Sequence, residues 1–569
     1  MRAIVAPQPD GRPDVTFTKK TALVSLALGA LLGCSAHREP ADLLLTGAKV
    51  YTVDANQPWA EAIAIRDGRI VAVGSTAELT KRYDAAQELK LEGKMVLPGF
   101  HDSHVHPIGA GIDLSQCNLS DEETVDAIVA KVRQCRDAEP GTDWIIGSGW
   151  NLSLFPEANP KKELLDAVSA DRPIVLGGAD GHSTWVNSKA LAAAHIDKST
   201  PNPPKGVIER DPKTGEPSGT LRESAQGLVR AVVPAPSQGV REAGLQRALG
   251  VLNGFGITSF IDAALDPENI AIYRAADEQG KLTARVVGCL VDGTPNLDSL
   301  VQPADRGTHK RLRLDSVKFF VDGVLEGETA ALLEPYLDSG EKGELKYAPA
   351  DLAARVTALD AKGIQVHMHA IGDAAVREGL DAIAAARTAN GPSDNRHHIA
   401  HLQLVDPADY PRFAELDVTA NFQALWAFPD SYIMDVNLPV VGRERVDRMY
   451  PIGSLSRARA RIAGGSDWFV SSANPLLAIQ TGVTRQDPEG RFKGVLNANE
   501  AVPLATMIEA YTKNGAFLMH EEQDTGTIEV GKLADLVVLD RNLFDIPPSE
   551  IGTTQVVMTL LEGKKVYPR

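Results

Sequence analysis

Three scarcities narrow what this chain can be. Cysteine is the first. There are four in 569 residues, Cys34, Cys117, Cys135 and Cys289, and none has the paired spacing of a cysteine metal site. Long apolar runs are the second. Past the N-terminus no stretch approaches the roughly 20 residues a membrane-crossing helix needs. Positive charge is the third. Lys and Arg number 58 against 75 Asp and Glu, a formal net charge of −17. Such a chain does not gather on nucleic acid without a local basic patch, so no nucleic-acid partner is expected.

What is present begins with a targeting segment. Lys19-Lys20 precede an apolar stretch from Thr21 to Gly33 that ends at Cys34. That length suits a signal-peptide core and is too short to span a bilayer. Leu31-Leu32-Gly33-Cys34 resembles a bacterial lipobox, and the following Ser35 resembles lipoproteins sorted to an outer membrane. Residues 1–33 are therefore expected to be a lipoprotein-type signal peptide. The mature chain would sit in the cell envelope, on the periplasmic side, touching the membrane only through a lipid on Cys34. An ordinary cleaved signal is the alternative. In an exported chain Cys117 and Cys135 are the local candidates for a disulfide, and three buried thiols are the equal alternative.

From residue 41 to 96 the pattern is short strands. Asp42-Leu43-Leu44-Leu45, Ala62-Ile63-Ala64-Ile65 and Ile70-Val71-Ala72-Val73 are among them, with a turn at Asp67-Gly68-Arg69. Apolar alternation around an Asp-Gly turn argues a hairpin-rich sheet. Residues 500–569 close in the same way, at Leu536-Val537-Val538-Leu539 and Val556 to Tyr567. The two ends are expected to build one small composite β-sandwich domain.

Between them, residues 97–499 alternate strand with helix. Eight apolar runs carry the pattern, the first ending at His104. The others lie at 256–262, 284–290, 316–323, 364–369, 397–402, 418–422 and 461–467. Eight β/α units predict an α/β fold, a (β/α)₈ TIM barrel, with a doubly wound sheet as runner-up. Residues from about 107 to 250 are too many for one connection. They read as an insertion above the barrel mouth, a lid or a substrate wall.

The chemistry sits at the strand ends. His104 and His106 are two residues apart at the end of a strand, so they project to the same side. A same-side pair of imidazoles is half of a metal site. Lys318, His369, His401 and Asp467 also fall at or near C-terminal ends of barrel strands, the face where barrel active sites lie.

Several stretches carry a wider resemblance. They are Leu97 to His106, Val317-Lys318-Phe319-Phe320-Val321-Asp322-Gly323, His367 to Val376, Ile399 to Val405 and Gly465-Ser466-Asp467-Trp468. Gly181 to Leu191 in the insertion and Gly526 to Leu536 in the tail belong with them. The chain resembles the amidohydrolase superfamily, and within it amidohydrolase family 3, which includes N-substituted formamide deformylases and similar amidases. The resemblance implies two divalent metal ions, most often zinc. His104, His106 and Asp467 would hold one, and His369 and His401 the other. A carboxylated Lys318 would bridge them, since a carbamate offers two oxygens where an ammonium has no lone pair to give. Two departures stand out. Ala400 precedes the sixth-strand histidine where the family commonly has Glu, and Trp468-Phe469 replaces the usual Trp-Pro.

This set predicts a metal-dependent amidohydrolase that cleaves an amide-type, non-peptide C–N bond of a small hydrophobic substrate. Asp467 would be the catalytic acid–base group. An ester, lactone or carbamate hydrolase on the same site is the alternative, as is an envelope binding protein that has lost catalysis. His182, Trp150, Trp185 and Phe469 are the substrate-binding candidates. Trp144, Phe155 and Trp426 are further aromatic candidates for the pocket wall, and His367 is an extra histidine near the site. Beyond the small-molecule substrate no partner is called for, and homo-oligomerisation stays open.

Overall fold

Strand-forming residues of the central region are buried on both faces, as parallel strands covered by helices must be. In a computed structural model describing residues 38–138, 144–303 and 311–568, they form one eight-stranded parallel sheet. Its strands are β1 (Phe100–Val105), β2 (Ile257–Leu265), β3 (Arg285–Val291), β4 (Leu312–Phe320), β5 (Gln365–Ala370), β6 (His398–His401), β7 (Thr419–Phe422) and β8 (Ile462–Gly464). They neighbour one another in chain order, and β8 lies against β1. Backbone bonds close that seam. Asp467 N–H donates to His104 O at 2.7 Å and His106 N–H to Trp468 O at 2.9 Å. The expected barrel is present.

Side-chain alternation divides each strand between two environments. On β4 and β5, Val317, Phe319, Val366 and Met368 join the main hydrophobic core shared with the surrounding helices. Ser316, Lys318, His367 and His369 are buried too, but they are not part of that core. A smaller apolar cluster joins the strands to the tail: Ile261, Val287, Cys289 and Ala463 meet Leu518 and Met519.

The chain ends form two sheets. One holds Glu39–Thr46, Ala62–Arg66, Arg69–Gly74 and Tyr83–Lys90, and the other includes Lys49–Tyr51, Met95–Pro98, Leu536–Leu539 and Val556–Leu561. Leu43, Leu45, Ile63, Ile65, Val96, Val538 and Leu560 fill the space between them. On the opposite side of the second sheet, Met95, Leu97, Val537 and Leu539 join the barrel core. Within 500–569 the helices Leu504–Ala510 and Lys513–Leu518 pack on the barrel strands β8 and β1.

The insertion carries a six-stranded sheet of its own, containing Ile145–Trp150, Ile174–Gly178, Ser183–Val186 and Pro217–Glu223. The helix Gln238–Gly254 belongs to the barrel, because its Leu245, Ala248, Leu249 and Leu252 are buried in the main core. Cys117 and Cys135 are joined by a disulfide, and Cys289 is free and buried. Among the described residues no helix is long and apolar enough to cross a membrane. The expected signal peptide and Cys34 lie outside the described residues.

Candidate metal centre

The C-terminal ends of β1, β4, β5 and β6 and the segment after β8 converge on Asp467. Its Oδ1 lies 3.0 Å from His106 Nε2 and 3.4 Å from His104 Nε2. Its Oδ2 lies 3.8 Å from His401 Nδ1. Lys318 Nζ is 3.5 Å from His104 Nε2. The His369 ring sits 4.4 Å from that of His401, centroid to centroid. All six expected ligands therefore gather in one place. Five are buried, while the His106 side chain is 25% exposed, which marks the side open to solvent.

Local backbone serves this convergence. Gly465 lies so close to β1 that a Cβ there would meet His104 Cβ at 2.7 Å. Glycine is what lets the β8 segment reach the site. Asp467 has φ 53° and His401 φ 80°. Such left-handed conformations are costly for residues with side chains and cluster at functional sites. Asp322, just past Lys318, accepts backbone N–H bonds from Ala331, Ile371 and Gly372 at 2.8–3.0 Å. It ties the turn after β4 to the turn after β5, and burial pushes its carboxyl up to about 7.

The donors suit a cation. Burial holds His104, His369 and His401 well below the usual imidazole range, so they are neutral and carry a lone pair. Burial alone would raise Asp467, but the imidazoles of His104, His106 and His401 outweigh it and keep the group a carboxylate. Burial brings Lys318 down to about 8. Among the described residues neither ring nitrogen of His401 has a hydrogen-bond partner, an arrangement that is costly in a buried site unless something ligates them. His369 Nε2 lies 3.0 Å from Gly323 O. Donating there leaves the lone pair on Nδ1. Ligand atoms of His104, His401 and Asp467 lie within 4.8 Å of one another. Neutral nitrogens beside an anionic oxygen fit a borderline divalent ion.

The substrate-binding candidates separate. His182 reaches the site from the insertion, its ring 5.7 Å from His369. Burial disfavours its charged form, yet Glu223 Oε1 at 3.0 Å outweighs this and raises it. Phe469 follows Asp467 and packs, partly buried, against the main core. Trp150 and Trp185 are 0% exposed in the insertion's own core, their indole N–H groups donating to Leu176 O and Lys161 O. They are packing residues and not a pocket wall, a correction to the expectation, because no face of either ring is left for a substrate. Trp426 does reach the site, stacked on His401. Glu223 and Asp322 were not read from the sequence. Asp322 lies four residues beyond Lys318 within the same motif, a signal that could have found it. Glu223 stands 41 residues from His182 with nothing local to link them.

Residues 87–567 match the model of the amidohydrolase family. Residues 62–86 match an imidazolonepropionase-like composite domain of bacteria. The chain is 33% identical over 549 residues to Protein LONG AFTER FAR-RED 3 of Arabidopsis thaliana, covering 93% of this chain and 92% of that one. It is 29% identical over 559 residues to the N-substituted formamide deformylase of Arthrobacter pascens, covering 93% and 98%. In fold it is similar to the crystal structure of an uncharacterized metal-dependent hydrolase from Pyrococcus horikoshii OT3, with a TM-score of 0.70 at 23% identity. That likeness covers 89% of this chain and 99% of the other.

Proposed function

The chain belongs to the amidohydrolase family, and from that premise we propose that it is a metal-dependent hydrolase of a non-peptide, amide-type C–N bond in a small hydrophobic substrate. One observation carries this: the side chains of His104, His106 and His401 close around the Asp467 carboxylate. Two divalent ions, zinc for preference, held by His104, His106 and Asp467 and by His369 and His401, would supply Lewis-acid chemistry, lowering the pKa of water and polarising the scissile carbonyl.

The protein's own groups do the rest. Asp467, an anion between imidazoles, accepts a proton from the attacking water and delivers it to the leaving nitrogen. Lys318 serves as a carbamate. An amine brought down to about 8 has a neutral fraction near neutral pH, and the neutral nitrogen adds to carbon dioxide with loss of one proton. Trp426 and Phe469 give the mouth an apolar side. His182, oriented by Glu223, supplies a polar contact to the substrate. Similarity to a protein named N-substituted formamide deformylase supports assigning a C–N bond over an ester to this site. We keep the cell envelope as the location, with a lipid on Cys34. The Cys117–Cys135 disulfide supports an oxidising compartment.

The test is metal analysis of the purified chain combined with a panel of formamides, other N-acyl amines and esters. Chelation is expected to abolish turnover and a divalent ion to restore it. Full activity without metal would remove the reading. Turnover of esters alone would replace the bond assigned here.

A further inference from the structure

Beneath the donor cluster runs a line of buried polar side chains that the reaction above does not use. His367 Nε2 lies 2.9 Å from His104 Nδ1. On its other side His367 Nδ1 is 3.5 Å from Cys289 Sγ. The Cys289 thiol donates to Ser316 Oγ at 2.9 Å. All three supporting residues are 0% exposed. The His398 ring packs on His367 with centroids 4.1 Å apart. Strand register sets Lys318 beside His367 and His367 beside His398, so neighbouring strands hold the ring on both sides.

The line has a polarity. Two imidazoles share a hydrogen bond only when one offers N–H and the other a lone pair. With its S–H spent on Ser316, the Cys289 sulfur accepts. His367 Nδ1 then carries the proton, and its Nε2 is bare. That bare nitrogen accepts from His104 Nδ1–H. His104 Nε2 keeps its lone pair, and it is this atom that lies 3.4 Å from Asp467 Oδ1 and 3.5 Å from Lys318 Nζ. The opposite polarity would place a proton on His104 Nε2 and close that ligand.

We propose that His367 is a positioning residue which, through Cys289 and Ser316, fixes His104 in the tautomer able to bind a metal ion. The proposal rests on the metal-dependent reading above. Partners behind a ligating histidine typically set metal affinity by roughly 10–100-fold.

The experiment measures zinc affinity of the metal-stripped full chain by competition with a chromophoric chelator, alongside the melting temperature without metal. His367→Phe keeps a ring but offers no acceptor, and roughly 10–100-fold weaker zinc binding is expected. His367→Gln sets an amide oxygen near the former Nε2 and should recover most of it. If His367→Phe does not fold, Cys289→Ala probes the line from its far end and should also weaken zinc. Wild-type affinity in His367→Phe, or equal losses in the Phe and Gln variants, overturns the proposal. So does unchanged affinity in Cys289→Ala where that variant stands in. A wild-type chain that binds no zinc or related ion overturns the metal-dependent reading itself, and wild type alone reveals it.

Discussion

Trp426 lies flat against His401, the two rings 2° from parallel with centroids 5.5 Å apart. Among the described residues His401 has no hydrogen-bond partner to orient it, so the indole is what fixes its plane on that side. Aromatic pairs of this kind contribute about 0.5–1.5 kcal/mol. Trp426→Ala is therefore expected to lower kcat/KM by up to about tenfold, with Trp426→Phe recovering most of it. Steady-state kinetics at matched metal content checks this. An unchanged kcat/KM would make the stack incidental.

Lys318 is 0% exposed and its Nζ lies 5.0 Å from the Phe320 ring. A plain ammonium is poorly solvated there, whereas a carbamate between two cations is compensated. Lys318→Ala should lose metal and turnover together, and short carboxylic acids should restore part of both. Metal content and activity of the variant, with and without added acid, are the measurement. Full metal content with full activity contradicts the carbamate.

His101, at the base of β1, is fully buried between Gly99 O and Thr525 Oγ1, both at 3.1 Å. Burial lowers it from 6.5 to about 4. A histidine depressed in the fold binds its proton more readily when unfolded. Stability is therefore fully present above pH 6.5 and is lost as pH falls towards about 4. The loss over that window is roughly 3 kcal/mol from this group, at about 1.4 kcal/mol per pKa unit. Denaturant unfolding at several pH values should show the slope, and His101→Gln should flatten it. An equal slope in the variant would assign the acid sensitivity elsewhere.

Much of this was legible because a parallel barrel writes itself plainly. Apolar runs such as Val317 to Val321 and Ile364 to Met368 mark strands, and polar residues that interrupt them at every second position mark the interior. His104 with His106 could be read as a same-side pair for that reason. Packing partners distant in sequence could not. Trp150 and Trp185 look like a pocket wall until the insertion is seen to form a sheet with its own core. Glu223 has no pattern that leads to His182, and the tie between Cys117 and Cys135 required their spatial separation to be known. Helix Gln238–Gly254 could not be separated from the insertion, because its apolar face is defined only by the barrel it covers.

Cys34 follows a short apolar core in a lipobox-like setting. Cys34→Ser is expected to move the protein from the membrane to the soluble fraction without changing its catalytic constants. Fractionation, with mass analysis of the mature N-terminus, checks this. Wild-type protein found soluble and without lipid would contradict the anchor.

Asp467 is where binding and chemistry can be told apart. Its carboxylate faces three imidazoles, at 3.0, 3.4 and 3.8 Å, and its φ of 53° is one that asparagine also tolerates. Asp467→Asn therefore preserves the backbone, the shape and one oxygen donor, and removes only the charge and the basic group. A positioned acid–base residue contributes about 10²–10⁴-fold in rate. The expected outcome is a fall in kcat of that order, a much smaller change in KM and retention of most metal. Loss of metal along with activity would make Asp467 chiefly a ligand. Near-normal kcat with the metal retained would move the proton transfer to another group, of which His182 is the nearest candidate reaching in from the insertion.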